Sequence, residues 1–507
     1  MIDSVALLPT YAAAGTAVLV LLVDLLLPGR RAAPVAVAAA GALLTAVAAG
    51  WVGSGPVRAT FCSAGAGCSF VADPIAALVA GVFAFLTLAV LGLSWPLLRA
   101  WPQAGTAPAG EYAFLLSCSL AGGVVLGGAR DLITLIVAVE TLTLPLYILV
   151  GLRRRTPASA SAAVTFFLVS VVSTAVALLG AALLYAATGA VHFARLGAAL
   201  APAATGAQPP GPAELVGVGA VLLLGGLAFK VAAVPMHAWA PTTYDGAPVP
   251  IAGYLSTASK LGGVVAIVLV VTGPLRSEAA LTGPVLGTLA VLTMTVGNLV
   301  ALRQRRMIRL LAWSSVAQSG YILAPLAVTD GRGPALAYTI FYVVLELGAF
   351  AAIVALRGAA DGGLIADYRG VARRSPWIAG ALILALAGLA GLPPGLAGLF
   401  AKVTIVRPLI DGGAGWLAVV VVLNAVIGLA YYLRTAVTLF APAPTSPGDA
   451  VETAAPRVAP GIPDGGRLPG GGWPVLLAVG ATAVLAVVLG FLPQIVLDAA
   501  QADLVIR

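Results

Sequence analysis

Gly226-Leu227-Ala228-Phe229-Lys230-Val231-Ala232-Ala233-Val234-Pro235-Met236-His237 sets a lysine, and five residues later a proline, inside an apolar run of membrane-crossing length. A lysine at the centre of a lipid-facing helix costs about 2.5 to 3.5 kcal/mol on insertion scales, so such residues normally face a protein interior or a hydrated path. Proline removes an amide donor and breaks the helix, and the freed carbonyls then need a wet or protein-lined surround. The stretch therefore predicts a broken membrane helix with a charge near its break. Its first six residues recur as Gly398-Leu399-Phe400-Ala401-Lys402-Val403, again followed by a proline, Pro408. Six residues can match by chance in a chain so rich in Ala, Leu and Gly, but the placement argues otherwise. The two copies fall in the seventh and twelfth apolar spans, and an odd offset gives the second copy the opposite topology. Paired, interrupted spans in corresponding halves point to a transport site built on inverted repeats. The twelfth span supports the same reading independently. From Ser375 to Asp411 one straight helix would run about 54 Å, too long for a single crossing, and Leu392-Pro393-Pro394-Gly395 is a strong breaker.

The rest of the chain is consistent with this. Of 507 residues 61% are hydrophobic and 9% charged, with a mean hydropathy of +1.06, far from the roughly 25% charged composition of soluble domains. Fourteen apolar stretches of about 20 residues can each cross a core about 30 Å thick. They begin near Val5, Pro34, Pro74, Tyr112, Leu132, Ala160, Ala213, Pro250, Pro284, Ile308, Ala335, Ser375, Trp416 and Trp473. With fourteen spans the loops on one side carry sixteen arginines and those on the other seven. That bias places the arginine-rich side in the cytoplasm and both termini outside it. The net charge of +8 is thus topological, and nucleic-acid binding is not needed to explain it. The first span lacks a basic segment before it and a clear cleavage site after it, so it reads as a retained helix.

Only three of the 27 basic residues are lysines, and all three lie inside spans. Lys230 and Lys260 fall about 15 Å from a membrane edge along a helix, and Lys402 and Glu140 about 14 Å. Half of a roughly 30 Å core is 15 Å, so all four charges map near the midplane. Burial disfavours a charged amine and a neighbouring carboxylate restores it, which suits proton transfer. A static Glu140–Lys230 pair that only fixes helix packing is the alternative. Glu346 in span eleven is a further intramembrane carboxylate. His237, just past Pro235, titrates near neutrality and is a candidate relay, or else caps the helix break. Ser256, Thr257 and Ser259 either hold water beside Lys260 or back-bond to their helix. Tyr147, Trp239, Tyr244, Trp313 and Tyr321 read most economically as packing or interface anchors. His192, in an outer loop, receives no role. Cys62 and Cys68 share an outward loop and form either a small disulfide or two free thiols; zinc is not expected there, because the loop offers no His. Cys118 reads as packing. Two longer Pro/Gly/Ala-rich loops, residues 187–212 outside and 441–472 inside, read as connectors.

One region reads Phe229-Lys230-Val231-Ala232-Ala233-Val234-Pro235-Met236-His237-Ala238-Trp239-Ala240-Pro241, then Tyr244-Asp245-Gly246-Ala247-Pro248, then Ser256-Thr257-Ala258-Ser259-Lys260. Together with Glu140-Thr141-Leu142-Thr143-Leu144-Pro145-Leu146-Tyr147, Leu311 to Tyr321, and Gly391-Leu392-Pro393-Pro394 with Gly398, Phe400 and Lys402, this resembles the antiporter-like membrane subunits of proton-translocating NADH:quinone oxidoreductase, respiratory complex I. The Tyr-x-Gly-Ala-Pro step and Ser-x-x-Ser-Lys ending look most like the N branch, since the M and L sisters usually carry an Asp-Ala-His form. The resemblance spans nearly the whole chain. It implies an all-α polytopic protein of about 14 transmembrane helices, with two inverted five-helix repeats and broken helices 7 and 12. The parts would be N-terminal helices 1–3 over 1–105, repeats over 106–272 and 273–441, a cytoplasmic loop over 442–472 and a last helix over 473–507. Carried over by position, Glu140 and Lys230 form a modulating pair, Lys260 a central relay and Lys402 the terminal proton donor or acceptor. The chain departs where Gln318 stands in place of a frequent His, weakening a relay through span ten, and where Glu346 adds a protonatable stop.

The expected function is proton translocation in the bacterial cell membrane, driven by redox chemistry in other subunits. The partners implied are the M and L subunits, the small subunits K, J and A, and the lipid bilayer. No glycine fingerprint lies in a strand-turn-helix context and no Cys cluster suits iron-sulfur ligation, so no NADH, flavin or metal cofactor is expected in this chain. The rival readings are a subunit of a multisubunit sodium or potassium/proton antiporter, and a scaffold whose charges only hold an assembly together.

Overall fold

The computed structural model describes residues 2–63, 65, 67–99, 108–152, 156–201, 212–442 and 472–502. Arg153, Arg154, Arg155, Arg457, Arg467 and Arg507, and nearly all of the loop expected over 442–472, lie outside them. Helices α1 (Leu8–Leu26), α2 (Ala32–Gly53), α3 (Pro74–Arg99), α4 (Ala109–Gly128), α5 (Leu132–Val150) and α6 (Pro157–Thr188) come first. After α7 (Phe193–Leu200) come α8 (Ala213–Lys230), α9 (Trp239–Gly246) and α10 (Val249–Tyr254), then a π-helical turn (Leu255–Ser259) running straight into α11 (Lys260–Thr272). The second half comprises α12 (Ala279–Ala301), α13 (Met307–Leu323), α14 (Arg332–Arg357), α15 (Val371–Arg374), α16 (Pro376–Ala390), α17 (Leu396–Asp411) and α18 (Gly415–Phe440). The chain closes with α19 (Trp473–Phe491) and α20 (Gln494–Gln501).

Among the described residues eleven helices are long and apolar enough to cross a membrane, and each of the fourteen stretches expected from sequence carries helix. The seventh and twelfth are interrupted. Helix α8 stops at Lys230, Ala232 takes φ +55°, and the chain re-enters helix at Trp239. Trp239 closes this break by donating its indole N–H to the Phe229 carbonyl at 3.2 Å and stacking on Phe166 at 4.6 Å between centroids. Helix α16 stops at Ala390, where Gly391 takes φ +82°, the left-handed conformation that glycine adopts without a Cβ penalty; α17 then starts at Leu396, past the two prolines. Pro408 sits inside α17 without breaking it, so the second break precedes its lysine whereas the first follows it.

Burial grades the helices. In Val249–Thr272 and in α14, 94% of the most apolar stretch is buried inside the protein, against 28% in α1. The two elements pack on one another, with α13, α16, α17 and α19 against α14 and with α3 and α8 against Val249–Thr272. Because side chains on all sides of α14 meet protein rather than lipid, a carboxylate such as Glu346 can be placed there and partnered.

Two connectors carry structure that composition did not suggest. Residues 193–200, in the connector expected over 187–212, are helix α7, and the connection between α2 and α3 is an antiparallel hairpin, β1 (Arg58–Ser63) with β2 (Gly67–Ala72). Cys62 stands directly opposite Cys68, and the two are disulfide-bonded. Arg130, read from sequence as an outer-loop charge, is wholly buried and paired with the equally buried Asp73. Asp73 also accepts the Ala76 amide at 2.8 Å, capping α3, while Arg130 donates to the Gly127 and Ala129 carbonyls at 3.2 and 2.9 Å. Removing one partner of such a pair leaves an uncompensated buried charge.

Arg130→Leu is therefore expected to destabilise the protein by about 3 to 5 kcal/mol, read as a lower thermal unfolding midpoint of the purified assembly, while Arg58→Leu, at a more exposed pair, shifts it little. In mass spectrometry after alkylation, Cys62 and Cys68 should remain unmodified until a reductant is added.

Candidate functional site

The first of three polar clusters forms where α5, α6 and α8 meet. On α5, Glu140, Thr143 and Tyr147 are spaced i, i+3 and i+7, so they share one face. Lys230 ends α8, where orphaned carbonyls favour a positive charge. Its Nζ donates to Glu140 Oε1 at 2.7 Å and to Thr143 and Ser170 Oγ atoms at 3.1 Å each. All three ammonium protons are thereby placed. Thr174 donates to the same Glu140 oxygen at 2.6 Å, and Tyr147 donates to Ser170. The pair is asymmetric in burial, since the Lys230 side chain is 4% exposed and that of Glu140 is 21%. Glu140 thus has an open side through which its surroundings can change.

The second cluster is the interior of the molecule. Lys260 follows the π-helical turn, a local widening often found at functional sites. It donates to Ser315 Oγ at 2.5 Å and to the Ser315 carbonyl. On α14, Tyr338, Tyr342 and Glu346 are four residues apart and share a face. Tyr342 meets Ser315 Oγ at 2.7 Å and donates to the Ser256 carbonyl at 2.8 Å. Ser256 donates to Glu346 Oε1 at 2.8 Å and lies 3.1 Å from Ser315 Oγ. Two hydroxyls thus stand between a buried amine and a buried carboxylic group. Of the polar residues flanking Lys260, Thr257 back-bonds to the Gly253 carbonyl at 2.7 Å, while Ser256 reaches across to the acid.

The third cluster surrounds the break between α16 and α17. The Leu389 carbonyl, in the last turn of α16, accepts from Lys402 Nζ at 2.7 Å and from Gln318 Nε2 at 3.1 Å. The Lys402 side chain leans back toward the N-terminus of α17, as helical side chains do, and its Nζ lies 5.4 Å from the Tyr321 ring centroid. Gln318 also donates to Tyr432 at 3.1 Å and accepts from Tyr338 at 2.6 Å. An apolar groove of about 480 Å³ between α17 and α18 opens beside Lys402, with Val403, Val406 and Leu429 among its walls.

Neighbouring clusters are linked. Ser319 donates to the Val231 carbonyl at 2.6 Å, beside the first break, and lies 3.1 Å from the Ser315 carbonyl. Tyr338 connects the α14 face to Gln318 and hence to the carbonyl that holds Lys402. Two of these links pass through a carbonyl, which accepts hydrogen bonds but has no proton to hand on. Transfer across them needs a side-chain movement or a water.

Of the residues singled out in sequence, Glu140 and Lys230 are brought into contact, Lys260 and Glu346 into one cluster, and Lys402 against a helix end. His237 stands apart. It lies in the segment after the first break with its ring 5.3 Å from that of Trp313, and its buried Nδ1 has no hydrogen-bond partner. Tyr147 and Tyr321, read as packing, each sit at a lysine site. Gln318, read as weakening span ten, is a junction. Thr143, Ser170, Ser315, Tyr342 and Tyr432 were not singled out. Thr143 was signalled by its spacing from Glu140, and Ser315 by the Ser-Ser step in span ten. The others carried no local signal, because single hydroxyls are common in apolar helices. Among the described residues no group of three or more His, Cys, Asp or Glu side chains is placed to hold a metal.

Comparison with known proteins bears on the same helices. The family model described as NADH:quinone oxidoreductase/Mrp antiporter, TM, matches residues 129–428, a range that contains the three lysines and their direct partners. The chain is 60% identical, over 98% of both proteins, to NADH-quinone oxidoreductase subunit N of Salinispora tropica. It is 42% identical to subunit N 2 of Streptomyces griseus, over 99% of this chain and 94% of that one. Among solved structures it superimposes on a chain of respiratory complex I from Thermus thermophilus with a TM-score of 0.77 at 27% identity, covering 98% of this chain and 100% of the other. A chain of the Mrp complex from a Dietzia species shares the fold, with a TM-score of 0.78 at 24% identity. With a family match over more than half its length and a close relative over nearly all of it, the chain belongs to the NADH:quinone oxidoreductase/Mrp antiporter transmembrane family, in which the two relatives above are N subunits of NADH-quinone oxidoreductase.

Proposed function

We propose that this chain is a proton-translocating membrane subunit, of the N type, in an NADH:quinone oxidoreductase, with electron transfer confined to other subunits. The observation that carries the reading is that each of the three lysines is held by hydroxyls, a carboxylate or a helix-end carbonyl at a distorted or broken helix. Glu140 with Lys230 forms the modulating pair. Lys260, exchanging with Glu346, is the central relay, and Lys402 is the terminal station. A change at the exposed side of Glu140 alters how firmly Lys230 holds its proton, which is the means by which a partner would drive the row. Each charge moved against 100 mV takes about 2.3 kcal/mol, so an uncontrolled path would dissipate what the redox reaction supplies.

The two breaks and the sequence echo support a division into inverted repeats over 106–272 and 273–441, with 1–105 and 473–507 added at the ends. The arginine bias supports a multi-pass protein of the bacterial cell membrane with both termini outside. The partners would be the M and L subunits and the small K, J and A subunits. An Mrp-type cation/proton antiporter subunit is the second reading, supported by the shared family model and fold. The 60% identity to subunit N over nearly the whole chain favours the first.

Lys230→Ala, Lys260→Ala and Lys402→Ala are each expected to lower proton pumping in the assembled complex on the order of tenfold or more, with assembly intact on native gels. Normal pumping in all three variants would refute the reading, and loss of assembly without loss of pumping in what does assemble would favour a scaffold. Pumping that depends on sodium or potassium and not on NADH would favour the antiporter.

A further inference from the structure

The three lysines are unequally supplied with acceptors. An ammonium carries three donors, and Lys230 Nζ meets three side-chain oxygens. Lys260 Nζ meets the hydroxyl and the carbonyl of Ser315. Among the described residues Lys402 Nζ has one hydrogen-bond acceptor, the Leu389 carbonyl at 2.7 Å. Asp411, the carboxylate farther along α17, is paired with Arg407 at 3.5 Å. The groove beside Lys402 offers the hydrocarbon of Val403, Val406 and Leu429. A charge inside a membrane span must be met by the protein itself, so a further group has to face this amine.

That group is an aromatic ring. The Lys402 stem crosses Gly391 so closely that a Cβ there would lie 2.8 Å from its Cδ and 3.0 Å from its Nζ. From this position the Nζ stands over the Tyr321 ring, 5.4 Å from the centroid. A cation within about 6 Å of a ring centroid is attracted by the negative face of the ring, and more strongly where water is excluded. Tyr321 is 2% exposed.

The ring is fixed from its far end. Asn298 of α12 is fully buried, and its amide donates to the Tyr321 hydroxyl at 3.0 Å and to the Asn424 carbonyl of α18 at 3.1 Å. Its side-chain carbonyl accepts from the Tyr431 hydroxyl, also of α18, at 3.0 Å. A buried polar network whose members are satisfied rigidifies what it touches. Asn424 and Tyr431 alone join α12 to α18. The bond to Tyr321 is additional, and it sets the direction of the ring.

We propose that the face of the Tyr321 ring holds Lys402 in its charged form, and that Asn298 is a positioning residue that keeps this face toward the amine. The inference rests on the reading of Lys402 as a proton station. No proton passes through the ring, which acts only on how firmly the amine keeps its own.

The test changes the charge on the ring face and leaves its shape nearly alone. Phenylalanine, and phenylalanines bearing one, two and three ring fluorines, are placed at position 321 in the assembled complex, and proton pumping is measured beside Tyr321→Leu. Each fluorine draws charge from the ring face and weakens its hold on a cation. Pumping is expected to fall stepwise along the series, to a loss of about tenfold with three fluorines and in Tyr321→Leu. Tyr321→Phe and Asn298→Ala both free the far end of the ring. Each is expected to lower pumping about two- to threefold, and the two together no further than Asn298→Ala alone. Equal pumping across the fluorine series, or parental pumping in Tyr321→Leu, would overturn the role of the ring, and additive losses in the double variant would overturn that of Asn298. If Tyr321→Leu fails to assemble, the fluorine series decides alone. Should Lys402→Ala pump normally, the station reading fails; should Lys402→Ala be inactive while the fluorine series is flat, only the role of the ring fails.

Discussion

The constraint on which this structure depends is the cost of a charged amine in a medium without water. An ammonium in hydrocarbon must be met by acceptors that the protein itself provides, and an unbroken helix offers few, because each backbone carbonyl in its interior already accepts one hydrogen bond. The chain answers by ending or distorting helices where the amines lie. Lys230 occupies the C-terminus of α8, Lys402 folds back onto a carbonyl at the end of α16, and Lys260 follows a π-helical turn. The π-helical turn and Val231 to Val234 at the first break are enclosed by protein, as irregular backbone away from water must be, whereas Leu392, Pro393 and Pro394 at the second break are exposed on this chain.

Enclosure explains the gradation of burial across the molecule. The most apolar parts of α14 and of Val249–Thr272 are surrounded almost completely. They carry the least compensated chemistry, with Glu346 and Lys260 separated by hydroxyls and not joined in direct contact. The peripheral pair, Glu140 with Lys230, is in direct contact and partly open. A contact pair is stable but holds its protons, whereas a pair spaced by hydroxyls can exchange them. Geometry of this kind suits control at the edge and transfer at the centre.

Much of this was legible in the sequence. Lysines are so scarce that three inside apolar spans stood out, and the Pro-Pro-Gly step fixed the second break to within a few residues. The echo between the two halves located both lysines, while the second break lies at the Pro-Pro-Gly step and not at Pro408, which is accommodated within α17. The tyrosines were misread for a simple reason. An aromatic ring beside a membrane charge looks the same in sequence as a ring that only fills space, and its role depends on where its hydroxyl or face points.

What the sequence determined by itself was the membrane class, the helical character of the apolar spans, the family and the identity of the buried charges. These follow from composition, periodicity and covalent restriction at proline and glycine, all local to the chain. The partners of those charges were decided only by the tertiary structure. Ser170, Ser315, Tyr342, Gln318 and the Leu389 carbonyl come from other helices, 60, 55, 82, 84 and 13 residues away along the chain from the lysine each one serves directly or through a shared acceptor. No local pattern encodes such meetings, because they arise from helix packing and from the need of each enclosed polar atom for a partner.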